Sequence, residues 1–391
     1  MAAGKINIEQ FLELAKLHPV IDVRSPAEYM HAHIPGAHSL PLFSDEERKV
    51  VGTTYKQQSR EAAIKIGLDF FGPKMRKMVE DAEAVGSPQS TVGDSQHKGS
   101  DSELRTPDSR LILVYCWRGG MRSAAVSWLL DMYGFKVYTL IGGYKKFRNN
   151  VLDTFKQPFQ LRILGGYTGS GKTELLGALK EKGERVIDLE AIAGHKGSAF
   201  GNIGLPPQPT QEMFENRLAT ELRRTMGNSE QAIDNQQSVM SGVHSPLPIH
   251  HSPIWLEDES QRIGQVNIPG DLWNNMRVSP VYFLDIPFEE RLKHITEEYG
   301  RLDKQRVIDA IGRIKEKLGG LNAKNAIQLL EEGNTLESFR ILLEYYDKFY
   351  FRALHNRERL NSLLQRIECK SVTPENASQF LHLPKQQPQQ V

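Results

Sequence analysis

Cys116 stands in the run Leu111-Ile-Leu-Val-Tyr-Cys-Trp-Arg-Gly-Gly-Met-Arg-Ser123, where one thiol meets two glycines and two arginines. The chemistry such a group offers is that of a nucleophile. Leu111 to Tyr115 read as a buried strand, and Ser123 to Leu130 read as a helix. Cys116 therefore falls in a short loop between a strand end and a helix start. Loop amides converge there and the helix dipole adds partial positive charge. Arg118 and Arg122 add full charges, and all three effects lower a thiol pKa. An inert buried cysteine is the ordinary alternative. The glycine pair and the flanking arginines argue against it. Cys116 is expected to be catalytic, with Trp117, Arg118, Gly119, Gly120, Met121 and Arg122 forming an anion loop around it.

A second candidate site lies at Leu161-Arg-Ile-Leu-Gly-Gly-Tyr-Thr-Gly-Ser-Gly-Lys-Thr173, which contains Gly166-x4-Gly171-Lys172-Thr173. A short apolar strand precedes it and a helical pattern, Glu174 to Lys180, follows, which is the context a phosphate-binding loop needs. Glycines let backbone amides curve around a phosphate, and Lys172 supplies a point charge. Gly166, Gly169, Ser170, Gly171, Lys172 and Thr173 are the expected diphosphate-binding residues. ATP or any other diphosphate satisfies the same donors. Thr173 also offers a hydroxyl to Mg²⁺, and Asp188, read as the end of a strand Arg185–Glu190, is a second candidate Mg²⁺ residue. Asp285 ends the strand read over Pro280–Ile286 and either backs a metal or caps the following helix. Ile254 to Ser260 reads either as a metal-facing strand end or as a solvated helix start.

These loops need two α/β units to position them. The 391 residues allow two cores, expected over 1–150 and 151–383. The second combines alternating strands and helices with a helical part from Phe288 to Gln365. Two interruptions poor in apolar residues, 84–108 and 227–252, read as disordered or flexible insertions, and 384–391 as a disordered tail. His244, His250 and His251 read as solvated loop residues. Two distant cysteines, Cys116 and Cys369, exclude a disulfide framework, and Cys369 reads as part of a late strand. With no leader pattern and no spanning apolar run, a cytoplasmic protein without a membrane partner is expected. The net charge of +1 means that any nucleic-acid contact must come from local basic clusters.

Pro19-Val-Ile-Asp-Val-Arg-Ser-Pro-Ala-Glu-Tyr29, His33-Ile-Pro-Gly-Ala37 and Val137-Tyr-Thr-Leu-Ile-Gly-Gly-Tyr144 resemble, in order, segments of a rhodanese domain covering about residues 5–150. One departure is the C-x5-R spacing of Cys116 and Arg122, shared with protein-tyrosine phosphatases. It suits a larger tetrahedral anion and keeps a phosphatase reading open. A rhodanese domain fused to a phosphate-loop domain resembles the tRNA 2-selenouridine synthase family. Further matches are Glu47 to Lys56 with Ser59-Arg60, Asp188-Leu-Glu190, His195 to Gly201, and Glu257 to Ser260 with Ile263-Gly264. The resemblance implies an N-terminal rhodanese-like domain and a P-loop NTPase-like α/β domain.

It also implies an activity. Such enzymes geranylate the sulfur of wobble 2-thiouridine in tRNA with geranyl diphosphate, then replace the S-geranyl group with selenium from selenophosphate. Both donors are co-substrates, with no tightly bound cofactor expected. Cys116 would hold or guide selenium, and Lys145, Lys146, Arg148 and Lys196 would contact tRNA. Lys196 sits where the family often has arginine, and lysine lacks the bidentate fork. A rhodanese–kinase fusion and a C-x5-R phosphatase with a nucleotide-binding domain are the competing classes.

Overall fold

A computed structural model describes residues 3–86, 110–198, 200–237, 253–300, 302–381 and 383. The chain divides into two compact units, Met1–Asp153 and Thr154–Val391. The first is built on five parallel strands: β1 (Gly4–Ile6), β2 (Val20–Asp22), β3 (His38–Ser39), β4 (Leu111–Tyr115) and β5 (Lys136–Leu140). Their order is β1-β5-β4-β2-β3. All five β4 residues are buried, as an uninterrupted apolar run must be in a sheet covered on both faces. After β2 the chain moves to one side of the sheet, and after β4 to the other. The carboxyl ends of β2 and β4 thus flank a topological switch point, where open α/β sheets bind ligands. Asp22 ends β2 there, and Cys116 follows β4.

Asp22 anchors a buried network. Arg24 donates to both Asp22 oxygens, the shortest contact being 2.6 Å, and to the Ala32 carbonyl at 2.7 Å. Tyr115 donates its hydroxyl to Asp22 at 2.8 Å. The Arg24 guanidinium also lies 3.8 Å from the centre of the Tyr144 ring. Tyr144 in turn donates its backbone N–H to the Cys116 carbonyl at 2.8 Å. A buried ion pair persists only when its remaining donors and acceptors are satisfied, and this one is.

The second unit carries β6 (Leu161–Gly165), β7 (Arg185–Val186) and β8 (Ile254–Glu257), then the antiparallel hairpin β9 (Arg262–Ile263) and β10 (Val266–Asn267). β11 (Val281–Asp285) and β12 (Leu364–Glu368) complete a parallel sheet of order β12-β11-β6-β8-β7. β6 is central, with chain excursions to both sides, so the phosphate loop leaving it stands at this sheet's switch point. Helices 288–299, 304–313, 320–331 and 335–355 pack their own core around Leu292, Ile311, Ala326, Phe339 and Leu342. Among the described residues, no helix is long and apolar enough to cross a membrane.

Several elements differ from the sequence reading. The strand expected to end at Asp188 stops at Val186. Asp188 instead caps a helix, Leu189–Ala193, its carboxylate accepting from Ala191 N–H at 2.7 Å. Asp285 does end β11 but caps nothing; it faces Arg366 at 3.4 Å. Ile254 to Glu257 is a strand end, not a helix start. Cys369 lies just past β12 and is buried, its N–H donating to the Asp285 carbonyl. The helix Met75–Gly86 enters the segment 84–108, and Gln211–Gln237 runs through the first part of 227–252. The remainder of both segments, His244, His250 and His251 with it, lies outside the described residues, as does 384–391.

Asp22→Ala would leave Arg24 buried and uncompensated. We expect the first unit to lose about 3 kcal/mol of stability, the usual penalty for halving a buried pair, measured by urea unfolding. A loss below ~1 kcal/mol, the range of a surface pair, would contradict this role.

Candidate functional site

The Cys116 loop is short because glycines allow it to curl. Gly119 is left-handed, with φ +66°. Gly143 sits so close beneath the loop that a Cβ there would lie 2.3 Å from the Cys116 carbonyl oxygen. Cys116 is only 3% exposed. Its Sγ lies 3.2 Å from Ser123 Oγ and accepts from the Gly120 N–H at 3.3 Å. Burial pushes the thiol pKa up. Hydrogen bonds from the Ser123 hydroxyl and from the amides of Ser123, Arg118 and Gly120 outweigh it, so the net shift is downward.

The arginines act differently from expectation. Arg122 is drawn onto Glu28, with an N–O distance of 2.7 Å, and Arg48 approaches the same carboxylate at 3.6 Å. Arg118 contributes its amide, while its side chain is exposed. The thiol is therefore tuned by neutral hydrogen-bond donors, not by the two guanidinium charges. Trp117 and Met121 are exposed at the loop, and Trp117 packs against Tyr144. Ser123 and Glu28 join the site only in the folded chain. The signal for Ser123 was its place directly after Arg122; nothing local marks Glu28 as the partner of an arginine 94 positions away.

Gly171 opens the helix Lys172–Glu181 from a left-handed conformation, φ +75°, and a Cβ there would meet Val372 at 2.4 Å. Lys172 reaches back across the phosphate loop to donate to the Gly166 carbonyl at 2.9 Å. Ser170 is buried and its hydroxyl has no protein partner. Two braces hold the loop from outside. Arg291, buried, donates to the Thr168 carbonyl at 3.0 Å and to the Ile286 carbonyl at 3.2 Å, while Asp347 binds it in a fork at 2.9 and 2.7 Å. Tyr350 accepts from the Gly166 N–H at 3.2 Å and donates to Asp258 at 2.8 Å, and Arg357 holds the other Asp258 oxygen at 2.7 Å. None of these braces was visible in the loop motif.

The loop opens into a cavity of about 590 Å³, within the range of small-molecule sites. Gly166, Gly169, Ser170, Gly171, Lys172 and Thr173 all line it, together with Lys196, Arg277 and His294. Glu190, Glu257 and Glu259 line the same cavity. Desolvation, then the neighbouring Glu190 carboxylate, pushes Glu259 up to about 8, with Lys172 pulling the other way. Burial likewise raises Glu190 and, more strongly, Glu257. Glu257 accepts from the Leu189 N–H, and its second oxygen is buried without a protein partner.

Among the described residues, no three acidic, histidine or cysteine side chains converge as a metal cage. The Thr173 hydroxyl and the free Glu257 oxygen fit Mg²⁺ in its commoner arrangement, shared between one or two protein groups and a bound phosphate. Asp188 caps a helix with one carboxylate oxygen and is not among the residues that line the cavity. Lys196 lines this cavity, paired with Glu298 at 2.5 Å. Lys145 and Lys146 are exposed in the first unit, and Arg148 is half-buried.

Comparison with known proteins gives two family matches. Residues 7–150 match the rhodanese-like domain, and residues 159–237 and 244–373 match the tRNA 2-selenouridine synthase AAA domain. A tRNA 2-selenouridine synthase of Hydrogenovibrio crunogenus is 34% identical, over 85% of this chain and 88% of that one. Enzymes of the same name are similar at 32% identity in Nitrosomonas europaea, over 87% and 90%, and in Bdellovibrio bacteriovorus, over 91% and 94%.

Two measurements check the electrostatics. Ser123→Ala should move the pH midpoint of Cys116 alkylation upward by about one unit, the ~1.5 kcal/mol of a hydrogen bond to a charged group. An unmoved profile would show that Ser123 does not hold the thiolate. The second concerns Glu259. Between about 4.5 and 8 the folded chain keeps a proton that the unfolded chain has released, so this group's contribution to stability falls as pH rises through that window. Above 8 the ionised carboxylate adds negative charge beside Lys172. Relative to Glu259→Gln, calorimetric binding of inorganic diphosphate should weaken by about fivefold between pH 7 and 9, the ~1 kcal/mol of one like charge at 4 Å in water. A constant ratio between the two proteins would contradict the assignment.

Proposed function

The chain belongs to the tRNA 2-selenouridine synthase family, and we propose that its two anion loops divide the work of converting wobble 2-thiouridine into 2-selenouridine between them. Modification of tRNA is the family's activity. The transferase steps below are our reading. In the first, the thiocarbonyl sulfur attacks C1 of geranyl diphosphate, the C–O bond breaks, and N3 of the base releases its proton. Lys172 and the loop amides take the charge that develops on the leaving diphosphate. Mg²⁺ bound at Thr173 and Glu257 would add further charge neutralisation to that group.

In the second step selenium replaces the S-geranyl group. Selenium has the same oxidation level in selenophosphate as in selenouridine, so the exchange needs no electron donor or acceptor. Geranylthiolate leaves C2 and phosphate is released by hydrolysis of the selenium–phosphorus bond. Cys116 guides selenium from a loop whose amides also suit the selenophosphate oxygens. Lys145, Lys146, Arg148 and Lys196 remain our candidates for tRNA contacts.

The observation that carries this reading is one chain holding both a braced phosphate loop and a separate thiol kept acidic by neutral donors. A phosphatase reading is weakened by the Glu28 carboxylate, which occupies the arginine that would bind a substrate phosphate.

Purified protein, thiolated tRNA, geranyl diphosphate and selenophosphate, followed by nucleoside mass analysis, separate the two steps. Lys172→Ala should slow S-geranyl formation by about 100-fold, the ~3 kcal/mol of one lost electrostatic contact, and leave 2-thiouridine. Cys116→Ser should accumulate S-geranyl-2-thiouridine with little 2-selenouridine. Normal selenouridine formation by Cys116→Ser, or normal geranylation by Lys172→Ala, would break the assignment.

A further inference from the structure

The helix Thr335–His355 braces the phosphate loop through Asp347 and Tyr350 and also lines the cavity with a row of further side chains. Asp347 clasps Arg291, and Tyr350 meets the Gly166 N–H. Tyr346, Phe349, Tyr350, Ala353 and Leu354 all line the cavity. Their spacing, i, i+3, i+4, i+7 and i+8, is that of a single helix face. The stripe extends roughly 12 Å along the axis at 1.5 Å per residue. The charged residues interleaved with it, Asp347, Lys348 and Arg352, do not line the cavity. Trp273, from the helix Gly270–Val278, adds an aromatic ring to the lining.

This wall is accessible. Phe349 is 56% exposed, and Ala353 is exposed beside the buried Leu354. It is also continuous with the phosphate loop through Tyr350. A ligand whose phosphates occupied the loop would find this face within the same cavity. The face itself offers rings and methyl groups, while Arg277, Asn356 and the acidic Glu190, Asp258 and Glu259 supply polar lining elsewhere in the cavity. Such a surface rewards hydrocarbon.

We propose that the stripe Tyr346–Leu354 with Trp273 is the wall for the prenyl chain, and that the small side chain of Ala353 sets how long a chain fits. This rests on the phosphate loop's being a prenyl-diphosphate site. Each methylene transferred from water to an apolar wall adds about fourfold in affinity. Wild-type protein should therefore bind geranyl diphosphate at least ~10-fold more tightly than the five-carbon dimethylallyl diphosphate.

Calorimetry on the full chain with geranyl diphosphate, dimethylallyl diphosphate, inorganic diphosphate and ATP tests this. Ala353→Trp should weaken geranyl diphosphate by about tenfold or more while leaving dimethylallyl diphosphate within about threefold, because only the longer chain reaches that position. Phe349→Ala should weaken geranyl diphosphate by about fivefold. Both variants should bind inorganic diphosphate as the wild type does, which also reports that they fold. If both keep the wild-type preference between the two prenyl donors, the wall is elsewhere. A wild type that binds inorganic diphosphate but does not favour the longer chain overturns this inference alone. A wild type that binds ATP and neither prenyl donor overturns the underlying reading as well.

Discussion

A loop that turns its amides toward an anion leaves its own carbonyls short of partners, and a buried arginine answers this at the phosphate loop. Arg291 donates to the carbonyls of Thr168 and Ile286 and is itself neutralised by Asp347. The arginine holds the loop by its carbonyls, so the backbone shape is fixed before a ligand arrives. Preorganised dipoles stabilise a transition state most when they are already in place. Tyr350 serves the same end at Gly166, and its own hydroxyl is held by Asp258 and, through it, Arg357.

The first unit uses a related device. Arg24, paired with Asp22 and stacked on Tyr144, supports the residue whose N–H holds the Cys116 carbonyl. Buried pairs of this kind seldom stabilise a fold better than hydrocarbon would. Their use here is directional: a guanidinium can reach several carbonyls and carboxylates at fixed angles, and a leucine cannot. At the thiol itself the protein avoids full positive charge. Arg122 is given to Glu28, and the sulfur is left to amides and a hydroxyl.

Much of this was legible in the sequence because it is local. An apolar run, a glycine-rich turn and a helix start within twenty residues are enough to place Cys116 and Lys172 at the carboxyl ends of parallel strands. The failures were of two kinds. Asp188 looked like a strand end because it follows the apolar pair Val186-Ile187, yet its carboxylate satisfies a helix N-terminus that propensity alone does not reveal. The braces were invisible for a different reason. Arg291 and Asp347 are 56 positions apart, and Asp258 and Arg357 are 99, so only the folded sheet brings them together. Arg122 shows the converse error, since a charge near a thiol in sequence was assigned to the thiol although Glu28 competes for it in space.

In the function we propose, the phosphate loop holds a prenyl diphosphate as a leaving group, not a nucleotide as an energy source. The most direct measurement is the stoichiometry of the first half-reaction, with thiolated tRNA, geranyl diphosphate and purified protein in the absence of ATP and selenophosphate. We expect one diphosphate released for each S-geranyl-2-thiouridine formed. A strict requirement for ATP, or orthophosphate released from ATP with no S-geranyl product, would contradict it.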